Sequence, residues 1–579
     1  MKTLAFDVET SGLWPYHGCD MFSYATCDIE GNTEVYRETD KNYLKKLREI
    51  WSGKYELVMH NCKFDTTFTE KLLGQRLNHV TIHCTHKMSH ILNNHHRSHG
   101  LEDLAHELAG YERIDKTVKR LAKKSGGFHK VPVEIMDHYQ RMDVERTMLL
   151  HSFFWPMIQE RCDWLEIYNT EIELVWATMP MEARGLMVHR GRTEKLIENL
   201  RGQVEQLREQ LFLLAGWRFN PNSDDEIRKL LFKKLQLPML KQTKTGKSSA
   251  DKYVLMALKE QTGHPALDII MKLRSYSRGI TTLQSYIDLS DSDMILHTSI
   301  NTCKAITSRE ATSHPNLQNV SKSEVLLNPY PIPARVAFRP RPGYVNLHVD
   351  YAGIEMRLLV HYSQDPRMIE EMNKPKGDPH ALAALVFYGD RFLNAEGSLK
   401  KTLRSAAKNA NFAIPYGASI VKVAQTLGIP FSEAKAVFKA YKNMFGPLVG
   451  LSKTISGQVE ENGYIETAFG RRLHVPRSKG YIGTNYLIQG TAAGVLKRAQ
   501  NRVHRYNVEE TDNDVKLLLP IHDEIVIEYP RSRLNVLPDY MKDINELMID
   551  FPQFDVPMGI EADITTASWE QKTPLRIPA

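Results

Sequence analysis

The amino-acid sequence predicts a multidomain protein of mixed α/β and α+β class, on three observations. The chain has 579 residues, which is too long for one hydrophobic core and favours three or four domains. Apolar, strand-like runs that contain or end in acidic residues occur near both ends of the chain, at 4–10, 345–350 and 519–524. Between them, apolar residues recur at helical spacing.

The two strand-like runs in the second half of the chain end in carboxylates. Asp350 ends the first run, and Asp523 and Glu524 end the second. Two-metal phosphoryl chemistry needs rigid elements that hold anionic oxygens close enough to share cations. We therefore expect Asp350 and Asp523 to lie within reach of a single cation, although they are far apart in sequence.

Four residues between these runs are spaced four positions apart: Arg404, Lys408, Phe412 and Tyr416. In a helix this spacing keeps side chains on one slowly drifting face. Carboxylates for metal, cations for phosphate and a ring for a base together favour a nucleotide polymerase. Pro415 removes an amide donor and clashes with the preceding turn, which predicts a kink in this helix near Tyr416.

The first strand-like run, 4–10, carries two acids. Alternation places Asp7 and Glu9 on one face of the strand, where they could share a metal. Asp65 follows in 61–65, and Tyr139 and Asp143 form a Tyr-x-x-x-Asp pattern. Each pattern is weak alone, because surface helices produce such spacings constantly. Their order within the first 143 residues makes them a strong signal of a second metal site.

Three segments in the second half, 350–357, 404–417 and 522–524, resemble motifs A, B and C of the family A DNA polymerases. The resemblance implies a right-hand fold with palm, thumb and fingers. It also implies template-directed addition of dNTPs to a primer 3' end with two divalent ions, Mg2+ or alternatively Mn2+. The implied partners are primer-template DNA and dNTPs, with a helicase-primase or a single-strand-binding protein as further expectations. A compact replicative polymerase of phage type is the expected origin.

The N-terminal patterns resemble the three motifs of the DEDD proofreading 3'-5' exonucleases that carry a tyrosine in the third motif. The resemblance implies a ribonuclease H-like domain. In that domain Asp7, Glu9, Asp65 and Asp143 hold two divalent metals, and Tyr139 orients the attacking water.

The polymerase resemblance also implies roles for single residues. Asp350 and Asp523 hold both metals, Glu524 is an accessory or indirect metal group, and Glu355 excludes a 2'-hydroxyl. Lys408 could donate the proton that the leaving pyrophosphate needs. Phe412 lacks a hydroxyl, which predicts discrimination against dideoxynucleotides. The implied dNTP-binding residues are Arg404, Lys408, Phe412, Tyr416, His380 and Glu355. The implied DNA-binding residues are Arg309, Asn316, Gln318, Asn319, Asn485, Gln489 and His522.

The predicted domain order follows from these motifs. We expect an exonuclease domain at 1–165, a thumb with the palm lead-in at 166–300, palm at 301–365, fingers at 366–480 and palm again at 481–579. Nothing precedes the first exonuclease motif, so no 5' nuclease domain is expected. Apolar residues stepping by three and four predict a long helix between 197 and 214 that packs in the core rather than at an oligomer seam. The protein is accordingly predicted to be a monomer.

Composition and charge limit which other sites and cellular locations the sequence predicts. The net charge of +6 is mild, so a nucleic-acid surface must be local, with the basic stretches 116–130 and 228–247 as candidates. For either stretch alone, solvated surface charge is the default interpretation. Six scattered cysteines indicate a reducing compartment, and no signal peptide or membrane span is expected, which predicts a cytoplasmic location, in the host cell if the protein is phage-encoded. Eight histidines between 79 and 106 are predicted to be packing or surface residues rather than a zinc site. The basic turn 241–249 lacks the first glycine of a P-loop, which argues against an ATP site. The turn resembles a loop in the thumb of the polymerase family, and the resemblance implies that it grips the phosphate backbone of the duplex.

Two other function classes stay open at this point. One is a DNA-repair 3'-5' exonuclease whose polymerase half is an inactive DNA-binding platform. The other is a non-catalytic clamp or accessory binder. The presence of Asp350, Asp523, Arg404 and Lys408 argues against the first, and acids at two separate sites argue against the second.

Overall fold

The computed structural model describes residues 2–243, 246–322 and 330–578. Two residues of the predicted basic thumb loop, 244 and 245, therefore lie outside the described chain.

A five-stranded mixed sheet, here called the N-terminal sheet, forms the centre of the first region. Its strands are β1 (Lys2–Thr10), β2 (Met21–Asp28), β3 (Thr33–Arg37), β4 (Tyr55–Met59) and β5 (Ile82–Cys84). They lie in the order β3-β2-β1-β4-β5, with β2 antiparallel and β4 parallel to β1. Six helices accompany it: α1 (Tyr43–Ile50), α2 (Cys62–Leu73), α3 (Thr85–Leu92), α4 (Leu101–Ala109), α5 (Asp115–Ser125) and α6 (Val133–Gln159).

Alternation along β1 determines which way its acids face. Phe6 and Val8 pack into a core with Trp51 and Phe68 on one side of the sheet. Ala5, one position out of phase, packs on the opposite side against Val144 of α6. Because side chains alternate across a strand, the residues in phase with Ala5, which are the two acids of β1, face α6.

One helix joins the two halves of the molecule. Helix α7 (Cys162–Arg184) buries Val175 and Met179 in the core of the N-terminal sheet. Its neighbouring positions Leu174 and Met181 belong to the large core of the second half. The predicted domain boundary at 165 thus falls in the first turn of a helix that both halves share.

The next region is helical and has a core of its own. It contains β6 (Leu186–Met187), α8 (Arg190–Ala215), α9 (Asp224–Arg228), a π-helical segment (Lys229–Lys234), α10 (Lys252–Thr262), α11 (Pro265–Asp288) and β7 (Ile295–Leu296). Helix α8 confirms the predicted long helix and packs along α11 of the same chain. Ile197, Leu200 and Leu211 are buried as expected, but Leu214 is 36% exposed because the helix ends one residue later.

Most of the second half before residue 511 is also helical. It begins with β8 (Ser299–Asn301), β9 (Ala311–Ser313) and β10 (Tyr344–Tyr351). The helices that follow are α12 (Ile354–Ser363), α13 (Pro366–Met372), α14 (Pro379–Tyr388), α15 (Asp390–Leu393), α16 (Gly397–Ala413), α17 (Ile420–Leu427), α18 (Phe431–Met444) and α19 (Gly446–Asn462). The hairpin β11 (Tyr464–Glu466) and β12 (Arg472–His474) precedes the long helix α20 (Gly483–Glu510).

The helix that carries the four-residue spacing ends earlier than the sequence predicts. The expected kink near Tyr416 is wrong: α16 stops at Ala413, and Gly417, with φ of 85°, closes a turn by donating from its amide to Ile414 O at 2.9 Å. Pro415 has no amide hydrogen to continue the helical ladder, which explains the termination. Arg404, Lys408 and Phe412 share the helix, while Tyr416 follows it.

A second five-stranded sheet, here called the C-terminal sheet, completes the fold. It adds β13 (Lys516–Ile521), β14 (Glu524–Pro530), β15 (Ile560–Thr565) and β16 (Thr573–Leu575) to β10, and α21 (Leu537–Ile549) lies between β14 and β15 in sequence. The strand order is β13-β14-β10-β15-β16, with all neighbours antiparallel. The predicted run at 345–350 lies within β10 of this sheet. The predicted run at 519–524 is also in the sheet, but a turn at His522 and Asp523 divides it between β13 and β14. Short 3-10 helices occur at Pro15–His17, Phe128–Lys130, Ala334–Ala337, Arg477–Ile482 and Arg531–Val536.

Within the described chain, none of the helices has both the length and the apolarity that a bilayer crossing requires. All six cysteines are free thiols.

A buried charge cluster ties the two halves together at α7. Glu171 of α7 is 1% exposed and accepts hydrogen bonds from Lys497 Nζ at 2.5 Å and from an Arg471 guanidinium nitrogen at 2.9 Å. Lys87 of α3 lies 3.7 Å away from the same carboxylate. Burial alone would raise the pKa of Glu171, but the three cations outweigh it and hold that pKa far below its ordinary value.

Glu171→Gln is expected to lower the free energy of unfolding by about 3–5 kcal/mol, because three buried cations lose their counter-charge. Glu166→Gln on the same helix is the matched control. Glu166 is 70% exposed and pairs with Arg498 at 3.0 Å, so its loss should cost under about 1 kcal/mol. Urea denaturation of both variants measures the difference, and equal midpoints would show that the cluster contributes nothing to stability.

Candidate active sites

Four acids meet between the N-terminal sheet and its helices. Carboxylate oxygens of Asp7, Glu9 and Asp143 lie within 4.8 Å of one another. Asp65, near the start of α2, accepts a hydrogen bond at 3.1 Å from the amide of Val8, which lies between the two acids of β1. The structure therefore brings together all four acids that the sequence singles out in this region.

Mutual repulsion and burial perturb these acids strongly. Burial, followed by the charges of Asp65 and Asp143, raises the pKa of Asp7 well above its ordinary value. Burial and the charges of Asp143 and Asp65 do the same to the pKa of Glu9. The pKa of Asp143 rises to about 7, again chiefly because of burial, although the hydrogen-bonded guanidinium of Arg146 opposes the rise.

Such a cluster suits a divalent cation. Hard carboxylate oxygens are the ligands that Mg2+ and Mn2+ prefer, and a cation would relieve the repulsion that now raises the pKa values. Among the described residues, Asp7, Glu9 and Asp143 are three acidic side chains whose carboxylate oxygens lie close enough together to bind one ion.

Tyr139 lies one turn before Asp143 on α6 and is buried. Burial, then the charges of Asp143 and Glu9, raises the pKa of Tyr139 far above its ordinary value. Its hydroxyl therefore stays protonated and available as a hydrogen-bond donor.

Sequence reasoning missed two neighbours of the acids. One is Asp115, whose charge adds to the repulsion, and the other is Arg146, which binds Asp143 at 2.7 Å. The i, i+3 spacing of Arg146 from Asp143 could have revealed the second.

The C-terminal sheet assembles the other acids. Asp350, near the end of β10, is registered opposite Glu524, the first residue of β14. Ile521 pairs with Glu524, so His522 and Asp523 form a two-residue turn, with His522 at φ of 57°. The carbonyl of Asp523 accepts a hydrogen bond from the amide of Tyr351 at 3.2 Å. Sheet register thus places Asp523 beside Asp350, as the sequence predicts.

The two aspartates interact directly. Burial raises the pKa of Asp350 to about 7, and the neighbouring charges of Asp523 and Glu524 contribute to the rise. Burial also raises the pKa of Asp523. Asp350 Oδ1 is buried without a hydrogen-bond partner among the described residues. An unpartnered carboxylate oxygen beside a second carboxylate fits a cation site.

Glu524 is engaged elsewhere. Its carboxylate lies 2.6 Å from His348 Nδ1 and accepts a hydrogen bond from Lys572 Nζ at 3.0 Å. Burial would raise the pKa of Glu524, but the hydrogen bond with His348 and the charge of Lys572 lower it to about 2. The structure therefore assigns Glu524 to a fixed ion pair one strand position away from Asp523, consistent with the indirect role expected for it.

The candidate 2'-hydroxyl gate lies in this site. Glu355, in the first turn of α12, pairs with Arg309 at 2.9 Å. Gln318 donates from its side-chain amide to the carbonyl of Pro520 at 3.2 Å, two residues before His522. Arg309 and Gln318 are thus anchored beside the acids, and the charge of Arg309 contributes with burial to lowering the pKa of His522.

The cations of α16 lie beside the start of α14. Arg404 pairs with Asp378, the N-cap residue of α14, with Nε 2.6 Å from the carboxylate. Burial, then the charges of Lys408 and Arg404, lowers the pKa of His380 to about 4. The ring of Phe412 lies 5.4 Å from that of His380. Three predicted phosphate-binding residues and one predicted stacking ring are therefore neighbours.

Tyr416 reaches the site from the turn after α16. Burial raises its pKa, and the charge of Glu355 adds to that effect. Asn411 is fully buried and connects α16 to two neighbouring helices. Its side-chain amide nitrogen lies 3.3 Å from His380 Nδ1, and its side-chain oxygen accepts a hydrogen bond from the hydroxyl of Tyr441. Sequence reasoning missed Asp378, Asn411 and Tyr441, whose roles appear only through contacts between helices.

The remaining predicted DNA-binding residues are spread over several parts of the structure. Asn316 shapes its own turn by accepting from the amide of Gln318 at 3.1 Å. Asn319 lines a separate cavity between α11 and Ile332. Asn485 is exposed and Gln489 half-buried on the first turns of α20.

The predicted packing histidines are held by ordinary hydrogen bonds. His99 Nδ1 lies 2.8 Å from Ser89 Oγ, and His90 Nδ1 accepts from Arg471 at 2.9 Å. Burial lowers the pKa of His86 to about 3 and that of His99 to about 4.

Comparison with known proteins bears on both halves of the chain. Residues 1–159 match a family model described as 3'-5' exonuclease. Residues 190–571, well over half of the chain, match the model described as DNA polymerase family A. The chain belongs to DNA polymerase family A. Its N-terminal exonuclease domain and its mixed fold class are as the sequence predicts.

Individual members of family A show the same relationship. DNA polymerase I of Pseudomonas aeruginosa is 27% identical over 497 residues, which are 83% of this chain and 53% of that protein. The thermostable DNA polymerase I of Thermus thermophilus is 33% identical over 444 residues, 72% of this chain and 50% of that protein. The chain spans about half the length of these curated relatives. The solved POL domain of Pol1 from M. smegmatis, in complex with DNA primer-template and dNTP, has a TM-score of 0.80 at 23% identity, covering 98% of this chain and 95% of that one.

Proposed function

We propose that this chain adds dNTPs to the 3' end of a primer on a DNA template and removes mispaired nucleotides from the same end at a separate site. The observation that carries the proposal is the position of Asp350 and Asp523, which are adjacent where a strand end meets a turn of the same sheet. Asp350 Oδ1 has no hydrogen-bond partner among the residues that the structure describes. The family A comparisons support the reaction class.

The residues at and around Asp350 and Asp523 have separate roles in the proposed reaction. Asp350 and Asp523 would hold divalent ions, Mg2+ by preference, which activate the primer hydroxyl and neutralise the triphosphate when bound. Arg404, Lys408 and His380 supply cations and a ring nitrogen at one end of α14, where they can receive the triphosphate. Arg404 would exchange its pairing with Asp378 for phosphate oxygens. Exposed Lys408 is placed to give a proton to the leaving pyrophosphate.

At the N-terminal site, Asp7, Glu9, Asp65 and Asp143 would hold the ions for hydrolysis, which lower the pKa of the attacking water when bound. The protonated hydroxyl of Tyr139 beside Asp143 can orient that water. Because the two acid sites lie on different sheets with different cores, each can be inactivated alone.

Primer extension tests the proposal directly. A labelled primer on a longer template, with all four dNTPs and Mg2+, should be lengthened to the template end. Without dNTPs the same primer should be shortened from its 3' end. Shortening with or without dNTPs, and no lengthening, would instead support a repair exonuclease with an inactive polymerase half. A phage origin, a replicative role, a cytoplasmic location, monomeric state and contacts with a helicase-primase or a single-strand-binding protein stay predictions.

Glu355→Ala is expected to raise incorporation of ribonucleotides relative to deoxyribonucleotides by at least about 10-fold, roughly 1.4 kcal/mol of lost discrimination. Removing the carboxylate opens space near Tyr416, one of the predicted dNTP-binding residues. Single-nucleotide kcat/KM for UTP and dTTP measures the ratio. Glu370→Ala on α13, whose side chain is 74% exposed and lies 3.7 Å from Lys374, is the control. An unchanged ratio of ribonucleotide to deoxyribonucleotide incorporation in Glu355→Ala would show that Glu355 does not exclude the 2'-hydroxyl.

A further inference from the structure

A second basic site lies at the opposite end of the C-terminal sheet from Asp350. A surface cavity of about 310 Å3 opens where β10 begins, beside the first residues of α8 and the segment after β15. Asp350 is six strand positions further along β10, roughly 20 Å away. The cavity is lined by Arg192, Arg339, Arg341, Arg531, His189 and Tyr344, among others.

Positive charge in this cavity is not balanced at the surface. None of the described residues that line it is acidic. In the described parts of the chain, Arg192, Arg339 and Arg531 form no ion pair with a carboxylate. Arg341 does pair with Glu528, at 2.8 Å, but that carboxylate is 1% exposed and is shared with Arg184. Three guanidinium groups therefore face one concavity without counter-charges.

The guanidinium groups are held in place by the backbone. Arg192 donates to the carbonyl of Ala567 at 2.9 Å. Arg531 donates to the carbonyls of Tyr344 at 3.2 Å and Thr566 at 3.0 Å. Carbonyl anchors fix the orientation of a guanidinium without neutralising it, which lowers the entropy cost of binding an anion.

Arg339 supplies an unsatisfied donor. Its Nε is buried, yet no hydrogen-bond partner exists for it among the described residues. Buried donors are nearly always paired, so an orphaned guanidinium nitrogen beside a basic cavity indicates a missing acceptor. Burial, then the charges of Arg192 and Arg339, also lowers the pKa of His189, as a positive potential requires. Helix α8, 26 residues long, starts at this edge and adds the positive end of its dipole.

We propose that this cavity binds a polyphosphate group: inorganic pyrophosphate or the phosphate tail of a nucleoside triphosphate. Two or three linked phosphates match the number of unbalanced guanidinium groups, which favour bidentate contact with phosphate oxygens. A single nucleic-acid strand fits less well, because binding single strands relies on exposed aromatic rings. Among the described residues that line the cavity, Tyr344 is the single phenylalanine, tyrosine or tryptophan, and its ring is covered by the guanidinium of Arg184 at 5.2 Å.

Calorimetric titration with pyrophosphate tests the assignment. The full chain is titrated in EDTA, so that divalent ions do not load the acid sites. The double variant Arg339→Gln with Arg531→Gln is expected to lose one binding event or to weaken it at least about 10-fold. Arg190→Gln is the matched control, since Arg190 precedes this cluster on α8 but is 59% exposed and lies 4.0 Å from Glu194. Identical isotherms for the wild type and the double variant would overturn the proposal.

Hydrogen exchange on the unaltered protein gives an answer even if the double variant folds poorly. Pyrophosphate should slow amide exchange in 187–193, 339–344 and 565–568. Protection by dATP as well would identify the triphosphate tail as the ligand, and protection by pyrophosphate alone would identify the free anion. Protection only by a 12-residue oligonucleotide, or by none of the three, would contradict the proposal. The proposal does not depend on the polymerase function, because the readout is binding alone.

Discussion

Asp523→Asn is expected to reduce primer extension by roughly 1,000-fold or more, equivalent to at least about 4 kcal/mol of transition-state stabilisation. The substitution keeps the size of the side chain and the two-residue turn but removes one of the two carboxylates that we propose share a cation. It should leave 3' trimming within about twofold of the wild type, since the acids proposed for that reaction lie on β1, α2 and α6, around the N-terminal sheet. Steady-state extension and trimming rates on one labelled primer measure both effects.

Asp512→Asn is the control for this substitution. Asp512 is exposed and, like the residue before Asp523, has a positive φ, of 50°, in a turn next to β13. Extension by the control should match the wild type. Extension by Asp523→Asn that stays within about 10-fold of the wild type would show that Asp523 does not hold a metal needed for the reaction.

Asp7→Ala combined with Glu9→Ala is expected to abolish 3' trimming and leave extension within about threefold of the wild type. The pair supplies two of the four clustered carboxylates, so the remaining acids cannot hold both ions. In metal-free buffer the same variant should be at least as stable as the wild type, because burial and repulsion raise the pKa values of these acids above their ordinary values. A raised carboxyl pKa means that the folded metal-free state loses stability as the pH rises through it, and the alanines remove that loss.

Glu30→Ala with Glu38→Ala provides the matched control, since both glutamates are exposed in the segments that flank β3 of the same sheet. The control should trim and extend normally. Loss of both activities in Asp7→Ala with Glu9→Ala, with a lower midpoint of thermal unfolding in EDTA, would mean that these acids stabilise the fold rather than bind metal.

Sequence reasoning located both acid sites because each depends on local rules. Alternation in β1 places Asp7 and Glu9 on one face, and Asp143 falls on the helix that covers that face. Strand-like runs ending in acid became neighbours in one sheet, which put Asp523 beside Asp350. The long helix α8 followed from the spacing of its apolar residues.

What the sequence could not predict depends on contacts between distant segments. Pro415 was recognised as a helix breaker, but whether it would kink or end α16 depended on Gly417 and the turn that it closes. The sequence predicts an accessory or indirect role for Glu524, but its contacts with His348 and Lys572 are visible only in the folded chain. The cluster around Glu171 and the arginine cavity each draw residues from three or more elements, and no local pattern marks them.

Anomalous diffraction from crystals soaked in Mn2+ tests the central claim most directly, because it locates bound ions independently of activity. The account predicts one or two Mn2+ peaks between the carboxylates of Asp350 and Asp523 and a second group of peaks among Asp7, Glu9 and Asp143. Peaks at the N-terminal acids with none at the aspartates of the C-terminal sheet, in a crystal that also holds primer-template and dNTP, would contradict it.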